Sequence, residues 1–189
     1  MSVESNMLPL GTKAADFNLR DTISGKMVSL NGIKSKTATV IMFLCNHCPY
    51  VKHIQNKLTE FVKEYEAKGI SFVGISSNDV VTYPEDAPER MKEVAEDVGF
   101  TFPYLYDESQ DIARAYKAAC TPEFYVFDTD LKLVYRGQFD DSRPSLDIPV
   151  TGKDLGKALD NIIKGVAVDP NQKPSIGCSI KWKQNTVHA

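Results

Sequence analysis

The sequence predicts an α/β protein: a mixed central sheet with helices on both faces and an N-terminal β-hairpin. Three observations predict it. Two continuous apolar runs, Thr39–Leu44 and Ile70–Ser76, lack the polar alternation of a half-exposed strand and read as central strands buried on both faces. Apolar residues recur at helical spacing between and after them, so the first half runs strand-helix-strand-helix and demands a right-handed parallel crossover. Two later strand patterns, Glu123–Phe127 and Lys132–Phe139, flank the turn Asp128-Thr129-Asp130 and add an antiparallel pair.

Each element has its own local reason. Asp16–Leu19 and Met27–Leu30 form the leading hairpin around Ser24-Gly25. After the first central strand a helix opens at Pro49, whose missing N–H costs nothing in a first turn. Val51, Ile54, Leu58, Phe61, Val62 and Tyr65 give it one apolar face, and Gly69 stops it. A second helix is expected over Glu85–Val98, with Met91, Val94, Ala95 and Val98 inward and Gly99 as its stop. Tyr104–Tyr106 reads as a short strand and Ser109–Tyr116 as a short helix in part. The last helix is expected near Thr151, capped by that hydroxyl with Asp154 three residues on, and buries Leu155, Leu159, Ile162 and Ile163. The whole chain reads as one domain, with a core of about 8–168 and a surface tail over 169–189.

Composition bounds the function. With 22 Lys+Arg against 25 Asp+Glu the net charge is −3, which argues against a nucleic-acid or acidic-membrane binder. No run of about 18 apolar residues is present to span a bilayer. The opening Met-Ser-Val-Glu-Ser-Asn has neither a basic nor an apolar secretory region, so the expected location is the cytoplasm. A chain of 189 residues should bury roughly 70% of its unfolded surface and needs no disulfide to hold a core. Its cysteines, Cys45, Cys48, Cys120 and Cys178, therefore point to chemistry rather than to staples.

Cys45-Asn46-His47-Cys48 is a C-x-x-C at the junction of the first central strand and its helix. Disulfide exchange needs a thiolate, and a helix N-terminus stabilises one. The expectation is that Cys45 is the more acidic, more exposed, attacking sulfur and that Cys48, a turn further in, resolves the mixed disulfide. His47, followed by Lys52 and His53, gathers positive charge there and should lower the pKa of Cys45. A second feature is Cys120-Thr121-Pro122-Glu123-Phe124, where a proline precedes an interior strand that normally excludes one. A cis Thr121–Pro122 bond would turn a backbone edge toward the thiols.

Together with Gly177-Cys178-Ser179-Ile180-Lys181-Trp182-Lys183, these motifs resemble the thioredoxin superfamily, and within it the peroxiredoxin-like group of thioredoxin family proteins. The hairpin and the insertion between the two motifs resemble its alkyl hydroperoxide reductase/thiol-specific antioxidant and thiol-disulfide reductase branches. The resemblance covers about residues 8–183. It implies a thioredoxin-like fold, a thiol-disulfide oxidoreductase with Cys45 and Cys48 as its redox pair, and Thr121-Pro122 as the cis-proline that holds partner backbone. Partners would be protein disulfides or dithiols and an electron donor; no cofactor is called for.

Two departures shape the expected activity. Aligned on a peroxidatic cysteine, Cys48 finds Cys45 where that family has a threonine, and Lys153 stands where its arginine is expected. Lys lacks the planar fork of Arg, so weak or absent peroxidase activity is expected. Against thioredoxin itself, Thr39 replaces the buried Asp and Leu44 the Trp, which leaves Glu123 as the candidate proton acceptor. His47 before the second cysteine resembles strong disulfide oxidases. Cys120 and Cys178 are possible additional redox thiols. The alternatives are a thiol peroxidase attacking through Cys48, a zinc site on Cys45, Cys48 and Cys120 completed by His47 or Cys178, and a non-catalytic binding module on the same fold.

Overall fold

The computed structural model describes residues 2–184. After strand β1 (Ser2–Glu4), the leading hairpin pairs β2 (Asn18–Asp21) with β3 (Met27–Ser29), and a single turn α1 (Leu30–Ile33) follows. Its bend is set by Asp21, whose carboxylate accepts from the Ser24 N–H and hydroxyl. Then come β4 (Ala38–Phe43), α2 (Pro49–Glu66), β5 (Ile70–Ser76), α3 (Pro88–Val98), β6 (Tyr104–Tyr106) and α4 (Asp111–Ala115). The second half carries β7 (Cys120–Thr121), β8 (Glu123–Phe127), β9 (Leu133–Gly137), α5 (Lys153–Ile163) and β10 (Ile176–Ser179).

The main sheet has the order β3-β2-β6-β5-β4-β8-β9. Its middle strands β4, β5 and β6 run parallel, and β8 lies antiparallel to β4 with Phe43 opposite Glu123. Every residue of β4 is buried because the sheet is covered on both faces. Alternation then divides the core in two: Val40 and Met42 pack with α2 and α5, Ile41 and Phe43 with α1 and α4. The site hangs from the end of this strand.

Three expectations need correction. The helix expected over Glu85–Val98 is split into a 3₁₀ turn at Pro84–Asp86 and α3, because Pro88 has no N–H to donate and fits only a first turn. The N-cap of α5 is Gly152, at φ 69°, not Thr151; the N–H groups of residues 151 and 152 are held by the Asp140 carboxylate, each at 2.6 Å. The segment expected as a surface tail forms β10, the middle strand of a second sheet, β1-β10-β7. Residues 185–189 of that expected tail lie outside the described residues.

Candidate active site

The chain leaves β4 at Phe43, passes through Cys45-Asn46-His47-Cys48, and enters α2 at Pro49. Cys48, rather than Cys45, is thus the residue at the helix end: it is the N-cap, with extended backbone and no side-chain oxygen to serve the first N–H groups. Both sulfur-bearing residues are shut away, Cys45 at 1% and Cys48 at 0% exposure. The expected contrast between an exposed and a sheltered cysteine is absent.

The Thr121–Pro122 bond is cis, and this segment faces the thiols. Thr121 Oγ1 is 3.1 Å from Cys45 Sγ, and the Thr121 carbonyl lies 3.2 Å from Cys48 Sγ. Strand β10 seals the outer side of the segment. Cys178 stands directly opposite Thr121 and Ser179 opposite Cys120. Directly paired residues share a face of a sheet. Cys178 accordingly lies on the Thr121 face, packed against the cluster that holds Cys45 and Cys48. Cys120 points to the other face, its Sγ surrounded by the carbonyls of Pro122 and Ser175 and by Glu123.

Charge at the pair runs opposite to expectation. Cys48 is pulled down to about 5: the Cys45 thiol stabilises its thiolate most, burial opposes, and the Cys178 thiol and Val51 N–H reinforce it. Cys45 is pushed well up, first by bonding its proton to Cys48, then by burial and by the negative charge of Asp86; only Thr121 pulls the other way. The acidic sulfur is the one that accepts from the other thiols, with a first-turn N–H of α2 adding to them. Cys178 is pushed up to about 12 by burial and by its place beside Cys48.

Asp86 is the residue that sequence reasoning missed. Completely buried on the 3₁₀ turn, it accepts from the N–H groups of Asn46 at 2.7 Å and His47 at 3.2 Å. Its second oxygen meets His47 Nδ1 at 2.6 Å and Asn78 Nδ2 at 2.8 Å. One carboxylate thereby fixes the loop between the cysteines from both its backbone and its side chain. His47 stacks on Tyr83, with ring centroids 5.2 Å apart, and is committed to Asp86 rather than bonded to either thiol. Tyr104 completes the support by donating to Asn46 Oδ1 at 3.2 Å. Only the surplus of Asn and Asp in the loop after β5 could have drawn attention to this group.

The remaining candidates fall elsewhere. Glu123 is buried and its pKa is raised, above all by burial, but its carboxylate accepts from the N–H groups of Ala119 and Cys120 and from Tyr125 Oη. It is turned to Cys120 and makes no hydrogen bond to Cys45 or Cys48. Lys153 sits on the exposed start of α5 in an ion pair with Asp141 at 2.5 Å, engaged away from Cys48. Cys120 is pushed far up by burial and by Glu123, which disfavours a thiolate there.

For a metal, the donors grouped among the described residues are Cys45, His47 and Asp86, all within 4.8 Å of one another. This differs from the zinc set expected from sequence, since Asp86 enters and Cys48, Cys120 and Cys178 do not. Both Asp86 oxygens are already taken up by N–H donors, which disfavours a resident ion.

A model of the AhpC/TSA family matches residues 10–136. Among solved structures, an uncharacterized conserved protein from Geobacillus kaustophilus is 60% identical, with a TM-score of 0.96 over 97% of each chain. A hypothetical protein from Sinorhizobium meliloti is 45% identical, with a TM-score of 0.93 over 95% of this chain and 98% of that one. The thioredoxin domain of a thiol-disulfide oxidoreductase from Bacteroides vulgatus shares the fold, at 20% identity and a TM-score of 0.58 over 68% of this chain and 88% of that one. No curated protein matches. The fold is thioredoxin-like, as the sequence implied.

Proposed function

From its membership of the AhpC/TSA family, to which this chain belongs over residues 10–136, we propose that the protein is a thiol-disulfide oxidoreductase working through Cys45 and Cys48. The observation that carries this reading is a pair of neighbouring thiols whose member at the N-terminus of α2 is held near pKa 5. At neutral pH Cys48 is then a standing thiolate, and Cys45 a protonated reserve.

The exchange balances without an external base. Cys48 attacks one sulfur of a partner disulfide, and the partner's other sulfur leaves as a thiolate. That thiolate takes the proton of Cys45, whose sulfur attacks Cys48 Sγ and expels the second partner thiol. Two electrons pass from the pair to the partner, and a Cys45–Cys48 disulfide remains. Cys45 becomes a better nucleophile once Cys48 is neutral, because the charge that raised its pKa is gone. The attacking role expected for Cys45 therefore passes to Cys48. Asp86, with His47 and Asn78, acts as a positioning group for the loop. Equilibration with glutathione buffers followed by peptide mapping tests the assignment. A Cys45–Cys48 disulfide should form, and brief alkylation of the reduced, unaltered protein at about pH 6 should label Cys48 before Cys45. Labelling of Cys45 first would return the attack to Cys45.

The acidity of Cys48 also favours a second reading, a thiol peroxidase in which Cys48 is oxidised to a sulfenic acid and Cys45 resolves it. No Lys or Arg side chain among the described residues donates a hydrogen bond to Cys48, so peroxide consumption should be slow. Stopped-flow rates typical of dedicated peroxidases would promote this reading over disulfide exchange.

A further inference from the structure

We infer that Cys178 on β10 is a third redox thiol, which closes a disulfide with Cys48 within one chain and carries the oxidising equivalent toward the surface. The inference rests on the exchange reading above and names its next sulfur. Its first support is register: Cys178 is paired directly with Thr121, the residue whose hydroxyl and carbonyl contact Cys45 and Cys48. The second is how tightly β10 is held. At Gly177 an added Cβ would be driven into the Thr121 carbonyl, so the strand lies as close to that peptide as a backbone can. β1 flanks its other edge with Ser2 opposite Cys178, and the Ile180 and Lys181 N–H groups are bound by Ala119 and Asn78. Cys178 is therefore presented to the pair by a fixed strand. Third, Cys178 is half-buried where Cys45, Cys48 and Cys120 are all buried. It is the one of the four cysteines that keeps exposed surface.

The chemistry uses only what the exchange reaction supplies. Cys48 attacks glutathione disulfide and releases one glutathione thiolate, which accepts the proton of Cys178. Cys178 then attacks Cys48 Sγ, expelling the second glutathione and leaving a Cys48–Cys178 disulfide. Two protein thiols are oxidised and one glutathione disulfide is reduced. In the unaltered protein Cys45 attacks Cys48 in turn and frees Cys178 as a thiol; in the reverse direction a partner dithiol is met at Cys178.

Removing the competing thiol tests this. Cys45→Ser and the double variant Cys45→Ser/Cys178→Ser are treated with glutathione disulfide in dilute solution, and their disulfides are mapped by peptide mass. The single variant should yield an intramolecular Cys48–Cys178 link and accumulate roughly tenfold or more less Cys48-glutathione than the double variant, because a neighbouring thiol competes at high effective concentration. Equal glutathionylation of Cys48 in both, a Cys48–Cys120 link, or a link between chains would overturn the role of Cys178. Failure of Cys48 to take up glutathione even in the double variant would instead sink the exchange reading itself, which separates the two conclusions. The ladder on both edges of β10 is built from backbone groups, so Cys178→Ser keeps the strand in place.

Discussion

Two sulfurs three positions apart are told apart by what surrounds each one. Cys48 caps α2 and faces donors, whereas Cys45 faces an anion, Asp86, and keeps its proton, bonding it to its neighbour. The chain shows the cysteines and His47 plainly, and the chemistry of a C-x-x-C is legible from them. Which sulfur is acidic was not legible, because it depends on which thiol donates to the other and on a carboxylate some forty residues away. Asp86→Asn isolates that carboxylate. The amide keeps one acceptor for the Asn46 and His47 N–H groups but loses the charge and turns an NH₂ toward donors. The variant should lose about 2 kcal/mol of stability, read from the urea midpoint. The pKa of Cys45, read from the pH dependence of its alkylation, should fall, because an anion that opposed its ionisation is gone. An unchanged Cys45 profile would show that Asp86 acts only on the loop's shape.

Elements differ in how much of themselves they declare. β4 and β5 are continuous apolar runs between helical patterns, and their limits are visible to within a residue. β1, β7 and β10 have two to four residues each and carry no period that a window could detect. They are specified by long-range pairing, and the segment around β10 looked like a tail for that reason. Gly177 is the one strong local sign, since a strand interior usually rejects glycine unless another backbone comes close. Gly177→Ala should force β10 away from Thr121 and cost about 1–3 kcal/mol, as overpacking against an unyielding backbone does. Cys48 lies beneath that strand with no exposed surface, so its alkylation at neutral pH should speed up in the same variant. Faster alkylation without loss of stability, or the reverse, would mean that β10 is not what covers Cys48.

The whole molecule couples the redox state of the pair to folding. In the reduced protein the Cys48 pKa falls from an ordinary value near 9.0 to about 5. A depressed acid contributes stability that is fully present above the unfolded pKa and lost as pH falls through the folded one. The contribution of Cys48 should be complete near pH 9, shrink across the window below it and vanish near pH 5, by at most about 1.4 kcal/mol per pH unit. Cys45 and Cys178 are shifted upward, so their own effect falls above that window. The oxidised protein has no thiol at position 48 to titrate. Closing so short a loop stabilises it by roughly 2 kcal/mol through the unfolded chain, a contribution that does not depend on pH. The sign of the difference between the two forms at any single pH therefore decides little, and its slope decides much. The denaturant midpoint of the reduced form should fall relative to that of the Cys45–Cys48-oxidised form throughout as pH is lowered from 9 toward 5. A reduced state stabilised in this way makes the disulfide more oxidising, relative to glutathione, at neutral pH than in acid. Parallel pH profiles for the two forms would mean that Cys48 is an ordinary thiol in the folded protein, and the assignment of attack to it would fall.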